Sequence, residues 1–179
     1  YAVFNKCFIK LFIYLFVIFI SVKCYGNFEF NLNCQTAYYD IFCLKFKTAS
    51  LRLDLEKKIN PSNKIPYYLE NYIDVLSVII SEDKSLYEKL KINKKERIYQ
   101  IEKNGDIKSP YYNLCIAEIN LQCALTRIKF KDYLAAAYEI NKAYKILILN
   151  NKLFPEFYPN LKYLALLHIL IGSVPDDYQ

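Results

Sequence analysis

Lys131-Asp132-Tyr133-Leu134-Ala135-Ala136-Ala137-Tyr138-Glu139-Ile140-Asn141-Lys142-Ala143 is the stretch on which the fold of this chain turns. Tyr133, Ala136, Ile140 and Ala143 recur at steps of three and four, which places them on one face of an α-helix. The stripe runs on through Tyr144 and Leu147. A helix with a small residue between an aromatic and an aliphatic one lets a second helix approach closely. Phe46, Ala49 and Leu53 repeat the stripe 87 residues earlier, and Ala37 stands to them as Ala124 stands to Tyr133, Ala136 and Ile140. Each set is one small residue on a first helix and an aromatic–small–aliphatic stripe on a second.

Helix signals fill the rest of the chain. Asn31 to Ser50 is helical with a soft break at Lys45–Lys47, and Ala37, Tyr38, Ile41 and Phe42 share a face. A second helix ends at Asn60-Pro61, since proline cannot continue it. A third covers Tyr67 to Ile80, and Ser81 is the expected cap of a fourth that runs to Lys103. Asn104-Gly105-Asp106 is a stop. Ser109-Pro110 restarts a helix that runs to Phe130, and Asp132 caps the next, which ends at Asn150-Asn151. Leu161 to Ile171 is a final apolar helix that would cover the end of the array. No segment alternates strictly, and three glycines are too few for the turns of an all-β domain. The expectation is all-α: seven helices, as three antiparallel pairs and a terminal helix.

The stretch 131–143 resembles the second helix of a tetratricopeptide repeat: a turn, an aromatic (Tyr133), a small residue three on (Ala136), a large one four on (Ile140) and an alanine three on (Ala143). Ala124 fits the small residue of the first helix, and the earlier copy has Ala37, Phe46, Ala49, Leu53 and a closing Pro61. Lys131 stands where the family prefers glycine, Glu56 replaces the last alanine of the first copy, and 65–105 matches the pattern poorly. Over 27–179 the chain is also similar to exported tetratricopeptide-like proteins of Bacteroidetes-type bacteria, with NFEFNLNCQ at 27–35 and SPYYN at 109–113. The resemblance implies a right-handed α-solenoid of antiparallel helix pairs whose first helices line a concave groove. Tyr38, Ile41, Phe42, Leu121, Leu125 and Ile128 are the corresponding groove positions. They are apolar and suit an amphipathic helix or an extended peptide; packing on a neighbouring repeat is the other reading, and both stay open. The Lys/Asn set that clamps a peptide carboxylate in some family members is absent.

Residues 1–26 read as an export signal. Lys6 and Lys10 precede the apolar run Leu11–Val22, and small residues stand at the two places where a signal peptidase inspects Cys24-Tyr25-Gly26. A spanning helix needs about 20 apolar residues, and Lys10 and Lys23 bracket only twelve; an uncleaved anchor is the alternative. The expected location is the periplasm or cell envelope. The start at Tyr1 and the tail Ser173–Gln179 lead to the expectation of a longer reading frame. The net charge is +6. It drops to +3 without the three lysines of the signal, which gives no reason to invoke nucleic acid. Lys94, Lys95 and Arg97, the densest basic cluster, read as a solvated helix face.

Chemistry is poorly supported. His168 is the sole histidine and lies in an apolar run, which reads as a partly buried core or interface residue. Cys34, Cys43, Cys115 and Cys123 show no metal spacing and read as small apolar residues, with an interhelical disulfide still open. Gly26, Gly105 and Gly172 are too isolated for a phosphate loop. The aromatic clusters Tyr67-Tyr68, Tyr111-Tyr112 and Phe154–Tyr158 fit either ligand stacking or hydrophobic staples beside helix-opening prolines. The expectation is a non-catalytic scaffold with no cofactor and no metal that binds a protein or peptide. A membrane-tethered structural or assembly subunit of an envelope complex is the alternative.

Overall fold

The computed structural model describes residues 27–172, with side chains described to Ile169. The expected signal at 1–26 and the tail at 173–179 lie outside these residues. Among the described residues there are seven α-helices and no strand. They are α1 (Leu32–Phe42), α2 (Phe46–Ile59), α3 (Ile65–Ser81), α4 (Lys84–Asn104), α5 (Pro110–Lys129), α6 (Tyr133–Leu153) and α7 (Pro159–Gly172).

The starts follow capping chemistry. The Asn31 side chain accepts from the Cys34 amide and the Ser109 hydroxyl from the Tyr111 amide, each satisfying a donor that the first turn leaves free. Pro110 occupies the first turn of α5 and Pro66 that of α3, where a missing N–H costs nothing. The cap of α4 differs from the expectation: Asp83, not Ser81, accepts from the Ser85 and Leu86 amides, because α3 continues through Ser81. Asp132 stands at the cap of α6 without making a cap bond, since its carboxylate is turned to Tyr87 and Arg127. Gly105 ends α4 with an ordinary negative φ. Glycine is needed there for space: a Cβ would lie 2.2 Å from the Ile101 carbonyl oxygen and 2.7 Å from the Tyr112 ring.

The helices pair in order, α1 with α2, α3 with α4 and α5 with α6. Each odd helix also lies against the next odd one: α1 on α3, α3 on α5, α5 on α7. The backbones of the even helices stay apart; no Cα pair within 8 Å joins α2 to α4 or α4 to α6. The result is two layers, a continuous odd layer and a gapped even layer. Helix α5 is the centre, and every residue from Leu114 to Ala124 is buried. The core is segmental. One apolar cluster gathers Ala37, Ile41, Ala49, Leu53, Leu69 and Ile119, a second Ala143, Leu147, Leu164 and Leu167, and a third Val75, Val78, Tyr87 and Leu90.

All three pairs turn at one residue with positive φ, and none is glycine: Leu44 (59°), Glu82 (54°) and Lys131 (62°). Leu44 and Lys131 share a bonding pattern. Their amides donate three residues back, to Ile41 and Ile128, and the next amides, Lys45 and Asp132, donate five back, to Asp40 and Arg127. Counted from the turn residue, four before and eight after, the partners also match. Asp40 pairs with Arg52 at 2.9 Å, and Arg127 pairs with Glu139 at 2.8 Å. The charges are exchanged between the copies. In the middle pair the same positions hold Val78 and Leu90, both buried in one apolar cluster. Five after the turn stand Ala49, Tyr87 and Ala136, and twelve after stand Glu56, Lys94 and Ala143.

Of the other residues read as holding the repeat together, Ala37, Ala49, Leu53, Ala124, Ala136 and Ala143 are buried, and Phe46 and Ile140 pack at the edge of the core. Tyr133 is 60% exposed and Pro61 stands exposed in a turn, so neither contributes to the interior. Glu56, in the place of an alanine, is fully buried. It accepts from Asn31 Nδ2 (2.7 Å), Asn33 Nδ2 (2.9 Å) and Asn63 Nδ2 (3.0 Å). Burial pulls its carboxyl up, but hydrogen bonds from Asn33, Asn63, Asn31 and Asn60 outweigh it and hold the group below its ordinary range. Asn63 also exchanges bonds with the backbone of Glu29, which straps segment 27–31 to the α2–α3 loop.

Candidate functional site

The odd layer carries an aromatic tract. Tyr38 and Phe42 of α1 lie 4.8 Å apart by ring centroid, and each meets Tyr72 of α3 edge to face, at 6.1 and 5.5 Å. Tyr72 in turn meets Tyr68 at 5.4 Å, and Tyr38 meets Phe30 at 5.8 Å. Edge-to-face contacts of this kind fix ring orientation as well as bury area.

Beside this tract is a cavity of about 190 Å³ lined from four helices and the segment before α1. Phe30, Tyr38, Tyr68, Tyr111 and Tyr163 supply rings, and Glu118 of α5 supplies a carboxyl that is 2% exposed. The Tyr72 hydroxyl donates to Glu118 Oε2 at 2.9 Å. Burial raises the Glu118 carboxyl; hydrogen bonds from Tyr163, Tyr68 and Tyr72 and the charge of Lys162 offset only part of that rise. Burial, and then the Glu118 charge, push the hydroxyls of Tyr68, Tyr72 and Tyr163 well above the ordinary tyrosine range. All three therefore stay protonated and able to donate. Lys162 stands at the rim, 4.9 Å from the centre of the Tyr163 ring.

The groove positions read from sequence divide three ways. Tyr38 and Phe42 belong to the tract. Ile41 and Leu121 are buried in apolar clusters, since they face the neighbouring helices and not solvent. Leu125 and Ile128 are 48% and 43% exposed on the last turns of α5, about two turns or more beyond Glu118. Of the aromatic clusters, Tyr68 and Tyr111 line the cavity, Tyr111 also packs on Phe157 at 4.9 Å, and Tyr112 on Phe28 at 6.2 Å. One residue here thus acts both as a packing staple and as a cavity wall.

Sequence reasoning missed Glu118. Its only local signal is the alternation of Glu118, Asn120 and Gln122 inside an otherwise apolar run, which puts polar groups on a helix buried all round. The basic cluster is also corrected. Lys95 is exposed, whereas Lys94 and Arg97 are buried rather than solvated. Lys94 Nζ lies 2.7 Å from Glu139 Oε1, and Arg97 lies 2.7 Å from Asp74 and 3.2 Å from Asn71 Oδ1. They pair because the faces of α3 and α6 opposite them carry acids and an amide. Lys94 and Glu139 meet on the floor of a second cavity, about 720 Å³, that lies in the gap between α4 and α6. One oxygen of Glu139, Oε2, is buried there without a hydrogen-bond partner.

His168 is exposed, its ring edge-on to Tyr144 of α6 at 5.9 Å, so it lies at the rim of the α6–α7 contact and not in the core. Cys34, Cys115 and Cys123 are buried and Cys43 is exposed, all as free thiols. Burial pushes the Cys34 thiol up to about 12 and that of Cys123 up to about 11, which leaves neither as a thiolate at neutral pH. Among the described residues no group of three or more His, Cys, Asp or Glu side chains is placed to hold a metal ion, and no helix is long and apolar enough to cross a membrane. No family model, curated protein or solved structure matches this chain.

Proposed function

We propose that this chain is a non-catalytic, tetratricopeptide-like interaction module, exported to the bacterial envelope, that holds a peptide or helix of a partner protein against its odd-helix layer. The observation that supports it is the pairing of a continuous odd layer with an aromatic tract on its first two members. Three helix pairs turning at equivalent left-handed residues suit an open solenoid, in which one layer lines the inner surface. Tyr38 and Phe42 are half-buried and half-exposed, respectively, and offer rigid rings at low entropic cost. Pull-down from envelope fractions with the full chain tests the reading. The double variant Tyr38→Ala/Phe42→Ala is expected to lose partners that the parent recovers. Identical partner sets from parent and variant would count decisively against the tract.

A second reading has its own observation. Leu161, Leu166 and Ile169 of α7 are 46%, 45% and 68% exposed, an apolar outer face suited to a structural subunit tethered through residues 1–26. N-terminal sequencing of the native protein separates the two, because a start near Asn27 removes the tether.

A further inference from the structure

The small cavity of the odd layer is chemically unlike the rest of the aromatic tract. Its deepest polar group is a carboxyl, and its walls are rings. Among the described residues no Lys or Arg nitrogen lies within 4.0 Å of the Glu118 carboxylate, whereas buried Glu139 pairs with both Lys94 and Arg127, and Asp74 with Arg97. Glu118 instead accepts from the neutral Tyr72 hydroxyl. A buried carboxylate with no ion-pair contact, acted on only by the rim charge of Lys162 and walled by aromatic faces, is complementary to an organic cation: the carboxylate supplies charge and the ring quadrupoles add to it. The volume of about 190 Å³ is room for about six waters at ~30 Å³ each, enough for an ammonium head and the end of its alkyl stem. The chain's own Lys162 already shows the contact at the rim, where its ammonium stands over Tyr163.

We propose that the cavity lined by Glu118, Tyr38, Tyr68, Tyr111 and Tyr163 is a receptor for a primary alkylammonium group, the side chain of a lysine on the bound partner. The proposal rests on the interaction-module reading and gives that module its anchor residue. The incoming ammonium donates to Glu118, takes the place of Lys162 beside the rings, and keeps its alkyl stem against Leu114 and Pro159. Lys162 is then a competitor whose removal strengthens binding.

The test uses the full chain with n-butylammonium as the probe, tetramethylammonium as the cation without an N–H, and n-butanol as the neutral control, at constant ionic strength. Ring proton shifts of Tyr68 and Tyr163 are followed by NMR. Butylammonium is expected to give saturable shifts, tetramethylammonium weaker binding, and butanol none in the same range. Glu118→Gln, which keeps size and hydrogen bonding, is expected to weaken butylammonium at least about tenfold, the scale of one charge-assisted contact. Lys162→Glu alters only the exposed rim, so it tests the site even where the buried variant fails to fold; tighter binding is expected. Equal binding of butanol, unchanged binding in Glu118→Gln, or unchanged or weaker binding in Lys162→Glu overturns the proposal. Partner capture that survives Glu118→Gln but not Tyr38→Ala/Phe42→Ala overturns the ammonium pocket and leaves the module. Ammonium binding with identical partner sets in the tract variant overturns the module and leaves the pocket.

Discussion

Lys131 adopts φ 62° in the position where glycine would be free of strain. A side chain there crowds the following carbonyl and costs roughly 1–2 kcal/mol. Glycine relieves this but adds entropy to the unfolded chain. Because the Lys131 side chain is exposed, little packing is lost, and Lys131→Gly is expected to raise unfolding stability by roughly 0.5–1 kcal/mol. Urea denaturation checks it; a lowered midpoint would contradict the assigned strain. Glu118 is the opposite case, a native residue that works against stability at neutral pH. Its folded carboxyl titrates above the ordinary 4.5, so between the two values the folded state holds a proton that the unfolded state has released. Stability therefore falls as pH rises through that window, by up to ~1.4 kcal/mol per pH unit. Glu118→Gln is expected to be more stable than the parent at pH 8, with the advantage vanishing below pH 4.5. Thermal melts across pH measure the crossover, and a constant offset at all pH values would contradict it.

At the scale of the helix pair, one geometric position is satisfied in three chemical ways. Four before and eight after the turn stand acid and base, two aliphatics, then base and acid. The backbone brings the two side chains together, and any complementary couple serves. Asp40→Arg alone places two cations in contact with Asp40's site mostly buried, and is expected to cost ~1–2 kcal/mol. Adding Arg52→Glu reproduces the third pair's arrangement in the first and is expected to recover most of it. A double-mutant cycle in urea reads the coupling, expected near ~1 kcal/mol because Arg52 is partly screened by solvent. A coupling of zero would mean that the side chains meet without consequence. This position also explains what was legible in the sequence. The first and third pairs announced themselves through Ala37 with Ala49 and Ala124 with Ala136, since close approach leaves only small residues. The middle pair has Tyr87 where those have alanine, its ring stacked at 4.3 Å on Phe130, and Lys94 where an alanine closes the third. It folds the same way while sharing none of the marked residues. Glu118 was illegible for a different reason: its partner Tyr72 lies 46 residues away on another helix, and a one-dimensional pattern carries no such distance.

At the scale of the molecule, the two layers are held unequally. Odd helices touch along the array, whereas α4 and α6 are bridged across their gap by Lys94 and Glu139. Glu139 also holds Arg127, so Glu139→Gln leaves buried Lys94 without a counter-charge and Arg127 with Asp132 alone, at an expected cost of about 3 kcal/mol. Hydrogen exchange is expected to quicken in α4 and α6 before the α1–α3 packing is affected, because that packing takes only Ile98 and Ile101 from α4 and Ile146 from α6, and opening is local. Uniform acceleration across all helices would argue for a single cooperative core. The gap has a mechanical consequence. A stack joined along one side and open along the other bends about the joined side, as a hinged spine does, and the ion pair sets how far the open side spreads. The curvature of the odd layer is then adjustable from the opposite side of the molecule, by residues outside that layer.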